Sequence, residues 1–218
     1  MYFDAHCHLM EDNILKTSIE KGVGAIVLNT TKIDEWEKAI AISQKFKECY
    51  PCIGIHPWFL DELESDWFLK MDAFLKHYPN LMVGEVGLDY LKPDKEKQLQ
   101  VFEQILILAQ QYNRPIHIHC VKGWHDMLFL IKKYKKNRFL FHHFSASTDI
   151  IQELKKYDVY FSIASDKNLK ELPLDKILVE TDSPNHDSFP EDVVLLVEKL
   201  GLKKEQLWQN FQNFLKRG

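Results

Sequence analysis

Residues 81–121 read LMVGEVGLDYLKPDKEKQLQVFEQILILAQQYNRPIHIHCV. The stretch opens on a short apolar run, Leu81 to Gly84. A polar segment, 94–113, follows, in which Leu99, Phe102, Ile105, Leu106 and Ala109 recur at helical spacing. A second short run, Pro115 to Ile118, closes it. A buried strand, a crossover helix and another buried strand make one parallel βαβ unit.

The same alternation extends to both ends of the chain. Further strand-like runs are Met1–Phe3, Gly24–Leu28, Cys52–Ile55, Phe139–Phe141, Val159–Ile163 and Ile177–Val179, eight with the two above. They are near-continuously apolar, as strands buried on both faces are. Helical period returns at 34–48, where Asp34 is placed to cap the start, and at 124–136, 148–157, 191–200 and 204–216. Eight such units predict a closed α/β structure, a (β/α)8 TIM barrel, more than an open sheet. Neither a linker nor a repeat breaks the chain, so residues 1–218 are expected to form a single domain. At 218 residues it is compact for this fold, which typically takes about 250.

Composition narrows the function. Hydrophobic residues make up 45% and charged residues 28%, ordinary globular usage. No apolar run approaches the roughly 20 residues that span a bilayer. The start, MYFDAHCHLMED, has no secretory pattern. A soluble, cytoplasmic, monomeric protein without membrane contact is therefore expected. The net charge of −4 excludes a globally basic nucleic-acid-binding surface. The basic cluster Lys132, Lys133, Lys135, Lys136 and Arg138 falls between a helix end and the next strand, on the barrel's N-terminal face, away from chemistry. Four cysteines are too few for a disulfide framework. Cys49-x-x-Cys52 follows a helix and precedes a strand, the reverse of a thioredoxin-type pair, and has no second pair to complete a zinc ribbon.

Barrel chemistry sits at the C-terminal ends of the strands. Asp4, His6 and His8 stand there after strand 1, and His56 after strand 3. Strand 4 supplies Glu85 and Asp89, strand 5 His117 and His119, strand 6 His142 and His143, and strand 8 Glu180 and Asp182. Seven of the ten histidines are in this set. One buried histidine needs no function, but imidazoles and carboxylates converging from six strand ends are what a divalent-metal site requires. Alternation puts His6 and His8 on one side, and likewise His117 and His119, with His117 one layer deeper. Of His142 and His143, only one should face the barrel mouth.

These residues resemble the TatD family of metal-dependent deoxyribonucleases, among the amidohydrolase-type metallohydrolases. The matching blocks are D-A-H-C-H at 4–8, G-I-H-P at 54–57, G-E-V-G-L-D-Y at 84–90, R-P-I-H-I-H-C at 114–120, H-H-F-S-A-S at 142–147 and V-E-T-D-S-P at 179–184. The resemblance implies a hydrolase with two divalent metal ions (Zn, Mg or Mn). His6 and His8 would bind one ion, His119 and His142 the other, and Glu85 would bridge them. Asp182 would bind the first ion and take a proton from water. His56 would lie near the scissile phosphate. Cys120 and Val121 stand where the family commonly has Ser or Thr and then Arg, so Lys122 is the candidate replacement phosphate contact. Cys7 and Cys120 are expected to pack inertly beside the ligands. The segment from Ser165 to Lys176 is short, predicting a vestigial seventh helix, and the rim from Ser183 to Pro190 is trimmed. The implied activity is phosphodiester hydrolysis, with DNA as the expected substrate. The same chemistry could act on a carboxyl ester or amide, such as an aminoacyl ester. A non-catalytic metal-binding barrel is the third reading.

Overall fold

The structure, a computed structural model, describes residues 1–216. Eight strands lie in chain order in one parallel sheet: β1 (Tyr2–Cys7), β2 (Val23–Leu28), β3 (Cys49–Ile55), β4 (Met82–Asp89), β5 (Ile116–Val121), β6 (Phe139–Phe141), β7 (Val159–Ile163) and β8 (Ile177–Val179). The first and last strands meet at their C-terminal ends. There Asp182 N–H donates to the His6 carbonyl (3.0 Å) and His8 N–H to that of Ser183 (2.7 Å). These bonds close the predicted (β/α)8 barrel at the rim that carries the histidines.

Helices α1 (Asp12–Glu20), α2 (Trp36–Lys45), α3 (Trp67–His77), α4 (Lys95–Gln111), α5 (Trp124–Lys133) and α6 (Thr148–Leu154) follow the first six strands. Helices α7 (Val193–Leu200) and α8 (Lys204–Leu215) follow β8. Between β7 and β8 the connection keeps a single 3-10 turn, Leu174–Lys176, so the shortened helix expected there is almost wholly lost.

Several local expectations need correction. Helices α1 and α3 add to the helical segments read from the sequence, and both bury residues at helical spacing: Leu15 and Ser18 in α1, and Trp67, Met71 and Leu75 in α3, which leaves Leu69 exposed. Glu35, not Asp34, satisfies the backbone ahead of α2, its carboxylate accepting from Thr31 N–H (2.6 Å) and Lys32 N–H (3.2 Å). Cys49 and Cys52 lie within β3, not ahead of it, as buried free thiols. Asp4, His6, Glu85 and His119 also lie inside their strands, because β1, β4 and β5 run further than their apolar stretches.

The basic cluster is structural where its partners are described. Lys133 pairs with Glu103 (2.6 Å) and Arg138 with Asp158 (2.6 Å). Arg138 also donates to the carbonyls of Asn213 and Phe214 in α8.

Candidate active site

Glycines let three strands close around Glu85. A Cβ on Gly54 would fall on the backbone of Glu85, and one on Gly87 on the carbonyl of His119. Only glycine permits such an approach, which explains two of the motif glycines. The carboxylate of Glu85 is thereby buried at the centre of the mouth.

Five imidazoles face that carboxylate. Its Oε2 lies 3.3 Å from His6 Nε2 and 3.1 Å from His8 Nε2. Its Oε1 lies 2.8 Å from His142 Nε2, 2.9 Å from His119 Nδ1 and 3.2 Å from His56 Nε2. The histidines also face one another: His6 Nε2 is 3.2 Å from His8 Nε2, and His119 Nδ1 is 3.1 Å from His142 Nε2. Two triangles of ligand atoms result, one on each oxygen of Glu85. Asp182 Oδ1 flanks the first, 3.5 Å from His8 Nε2 and 3.9 Å from His6 Nε2.

Hydrogen bonding alone accounts poorly for this arrangement. A carboxylate offers about four lone-pair sites, and five imidazole nitrogens converge on it. Among the described residues, Asp182 Oδ1, His6 Nδ1 and His142 Nδ1 are buried without a hydrogen-bond partner. Triangle edges of 2.8–3.3 Å are close to the ligand–ligand spacing of about 3.3 Å in a tetrahedral shell with metal–ligand distances of ~2.0–2.1 Å. The donor set therefore fits divalent cations. Groups able to hold one include His6, His8 and Glu85, and also His6, His142 and Asp182.

His56, Glu85 and His119 form a further such group, but the tautomer of His56 argues otherwise. Its Nδ1 accepts the Trp58 backbone N–H (3.2 Å), so the neutral ring carries its proton on Nε2, facing Glu85. Burial, aided by the charges of His119 and His142, pushes its pKa down and keeps it neutral. His56 is thus built as a hydrogen-bond donor at the edge of the cluster. His8 has the opposite polarity: its Nδ1 sits 2.9 Å from the Asn29 carbonyl, which takes the ring proton and frees Nε2.

The electrostatics are those of a site built for cations. Burial alone would raise Glu85, but the charge of His142 and the hydrogen bonds from His119 and His142 hold it well below the carboxylate range. Asp182 is depressed likewise, burial being outweighed by the neighbouring imidazole of His8 and the charges of His6 and His142. Burial opposes charge on His8, yet the carboxylates of Asp182 and Glu85 beside it push it up to about 10. Burial, with repulsion from His142, pushes His6 down. The model of the TatD related DNase family matches residues 3–208.

The chain belongs to that family.

The human deoxyribonuclease TATDN3 is 29% identical over 211 residues, covering 83% of this chain and 77% of the human protein. The uncharacterized metal-dependent hydrolase YabD of Bacillus subtilis is 29% identical over 209 residues, covering 84% and 80%. The fold is that of the TatD homologue YjjV from Escherichia coli, with a TM-score of 0.84, 21% identity, and 98% of this chain and 95% of that chain covered. A TatD family hydrolase from Entamoeba histolytica superposes at 0.81, with 19% identity and coverage of 98% and 97%.

Within this TatD-type mouth, the six predicted ligands and His56 come together, and Lys122 does not join them. The cleft over these candidate ligands, about 290 Å³, is lined by His8, His56, Glu85, His119, His142 and Asp182 among others. Lys122, in a left-handed conformation (φ 57°), instead lines a neighbouring cavity of about 260 Å³ with Cys120, Trp124 and His143. His142 borders both. His143 is half exposed, 3.9 Å from Asp182, and His117 is fully buried below, against Phe214.

Four supporting groups lie outside the predicted ligand set. Glu180 stands 3.5 Å from His142 Nδ1 and accepts the His143 N–H (2.6 Å). Asp89 stands 3.5 Å from His119 Nε2. Asn185 donates to Asp182 Oδ2 (3.0 Å), and Asn29 orients His8 through its backbone carbonyl. Glu180 and Asp89 are visible in sequence as acids at strand ends; a backbone carbonyl leaves no such signal.

Proposed function

We propose that the protein is a divalent-metal-dependent phosphodiesterase acting on nucleic acid, with DNA as its substrate. The observation that carries this reading is the pair of ligand triangles sharing Glu85, one on each carboxylate oxygen. In this reading His6, His8 and Asp182 would hold one ion and His119 and His142 the second, with Glu85 shared between them. The imidazole-rich set favours zinc over magnesium, with manganese between. Divalent ions supply Lewis acidity that acidifies water and neutralises charge on phosphate oxygens.

The chain's own residues complete the chemistry. Asp182, kept ionised by its surroundings, accepts a proton at Oδ1, the oxygen turned toward the cluster. His56 donates from Nε2 to a phosphate oxygen. Glu180 and Asp89, each 3.5 Å from a ring nitrogen, would orient His142 and His119 through those nitrogens. Lys122, one cavity away, meets the strand beyond the scissile phosphate. The names of relatives support the substrate class: besides human TATDN3, a Citrobacter koseri relative 24% identical over 188 residues is a 3'-5' ssDNA/RNA exonuclease.

A panel of single-stranded DNA, RNA, carboxyl esters and amides, each with added Zn, Mg or Mn, tests the proposal. Metal-dependent cleavage of oligonucleotides is expected. Turnover confined to carboxyl esters or amides would transfer the site to acyl chemistry, and no turnover at all would favour a binding role.

A further inference from the structure

Among the described residues, Trp58 is a tryptophan left largely in water, 52% exposed, and it stands on the wall of the cleft over the candidate ligands. A ring this large at a cleft mouth is costly to expose and useful to cover. It is also held in one orientation. Its Nε1–H donates to Asp89 Oδ2 (2.6 Å), and its ring meets that of His56 edge-on at 5.1 Å and lies 6.3 Å from that of His119. Ordering the indole therefore costs little when a ligand arrives.

Lysines lie over aromatic rings at this wall and around it, and of these rings Trp58 and Phe59 line the cleft itself. Lys92 Nζ lies 4.5 Å from the Trp58 ring, Lys32 Nζ 4.2 Å from that of Phe59, and Lys95 Nζ 4.8 Å from that of Tyr90. In a chain of net charge −4 these pairs, of which Lys32 is also bound to Glu62 (2.7 Å), bring basic and aromatic groups together locally, the composition of single-strand grooves. A base stacks on an indole more strongly than an exposed ammonium does, so it would displace Lys92 and leave that ammonium for the backbone.

We propose that Trp58 is the stacking platform for one nucleobase of a single-stranded substrate, with Lys92 as its phosphate partner; this rests on the phosphodiesterase reading. The platform would set preference for strands with bases over bare phosphodiesters, independently of sequence.

The test compares wild type, Trp58→Ala and Trp58→Phe, metal-loaded, on two strands of equal length and charge. One is a labelled oligothymidylate, the other the same backbone with abasic tetrahydrofuran units. Both KM for cleavage and Kd from anisotropy with slowly cleaved phosphorothioate versions are read. Trp58→Ala should raise KM and Kd for the base-bearing strand about tenfold with kcat little changed, and Trp58→Phe should restore most of the loss. On the abasic strand all three proteins should agree. Equal losses on both strands, or none on either, would overturn the platform. Wild-type protein that binds but never cleaves would sink the phosphodiesterase reading, while the Kd comparison still decides the role of Trp58.

Discussion

Glu85→Gln preserves the shape of the central side chain and removes one unit of negative charge. Five imidazole nitrogens lie 2.8–3.3 Å from its oxygens, so ions held by those rings would sit at comparable range. At ~3 Å and an effective dielectric of about 20, a pair of unit charges is worth roughly 5 kcal/mol, and so about 10 kcal/mol against a divalent ion before any relaxation. The amide oxygen can still ligate and the site can relax, so about 3–4 kcal/mol is the expected loss per ion. That corresponds to about 10²–10³-fold weaker metal binding. Competition titration against a chromophoric chelator reads the affinity, and a thermal melt of the metal-free protein confirms folding. Nuclease activity should collapse at micromolar metal and recover in part at millimolar metal. A folded variant within about fivefold of wild-type affinity, with unchanged kcat, would show that Glu85 is not the bridge.

Three further outcomes follow from the same geometry. In metal-free protein His8 is raised from 6.5 to about 10, so its contribution to stability is full below pH 6.5 and lost as pH climbs toward 10. Glu85 and Asp182 are depressed, so theirs is lost in acid. Melts across pH with chelator should thus fall off on both sides of weakly acidic pH. Metal, which must displace the His8 proton, should lift the alkaline side and release protons measurable in calorimetry; a metal effect equal at about pH 5.5 and about pH 9 would contradict this. Asp182→Asn should lower kcat by about 10²–10⁴-fold at saturating metal, and a kcat within about threefold of wild type would remove Asp182 as the proton acceptor. Gly87→Ala drives a Cβ into the His119 carbonyl and should cost about 2 kcal/mol, roughly 4–8 °C in Tm; an unchanged melt would mean that β4 and β5 need no such close approach.

Much of this was legible because strands alternate. His6 and His8 share a side, and His117 lies one layer below His119, as strict period 2 dictates. Alternation could not choose between His142 and His143: β6 ends at Phe141, and the left-handed φ of His143 (42°) breaks the period where it is needed. Motif resemblance singles out His142, and its Nε2 does lie against Glu85. Lys122 shows the opposite limit. Nearness in sequence to His119 suggests a shared site, but its own left-handed turn carries it into the adjoining cavity. The support from Asn29 is invisible in sequence because a backbone carbonyl carries no residue identity. Trp58 gives no signal either, since an aromatic after His-Pro reads as ordinary core until its exposure is seen.

The most direct measurement is metal-dependent cleavage by stripped and reloaded protein. Purified wild-type protein, dialysed against chelator and checked by elemental analysis, is assayed on labelled single-stranded DNA before and after Zn, Mn or Mg is returned. Cleavage should vanish on stripping, return with at least one of these ions, and saturate at about two ions per chain. Cleavage that persists in the stripped protein, or fails to return with any of the ions, would contradict a metal-dependent phosphodiesterase built around Glu85.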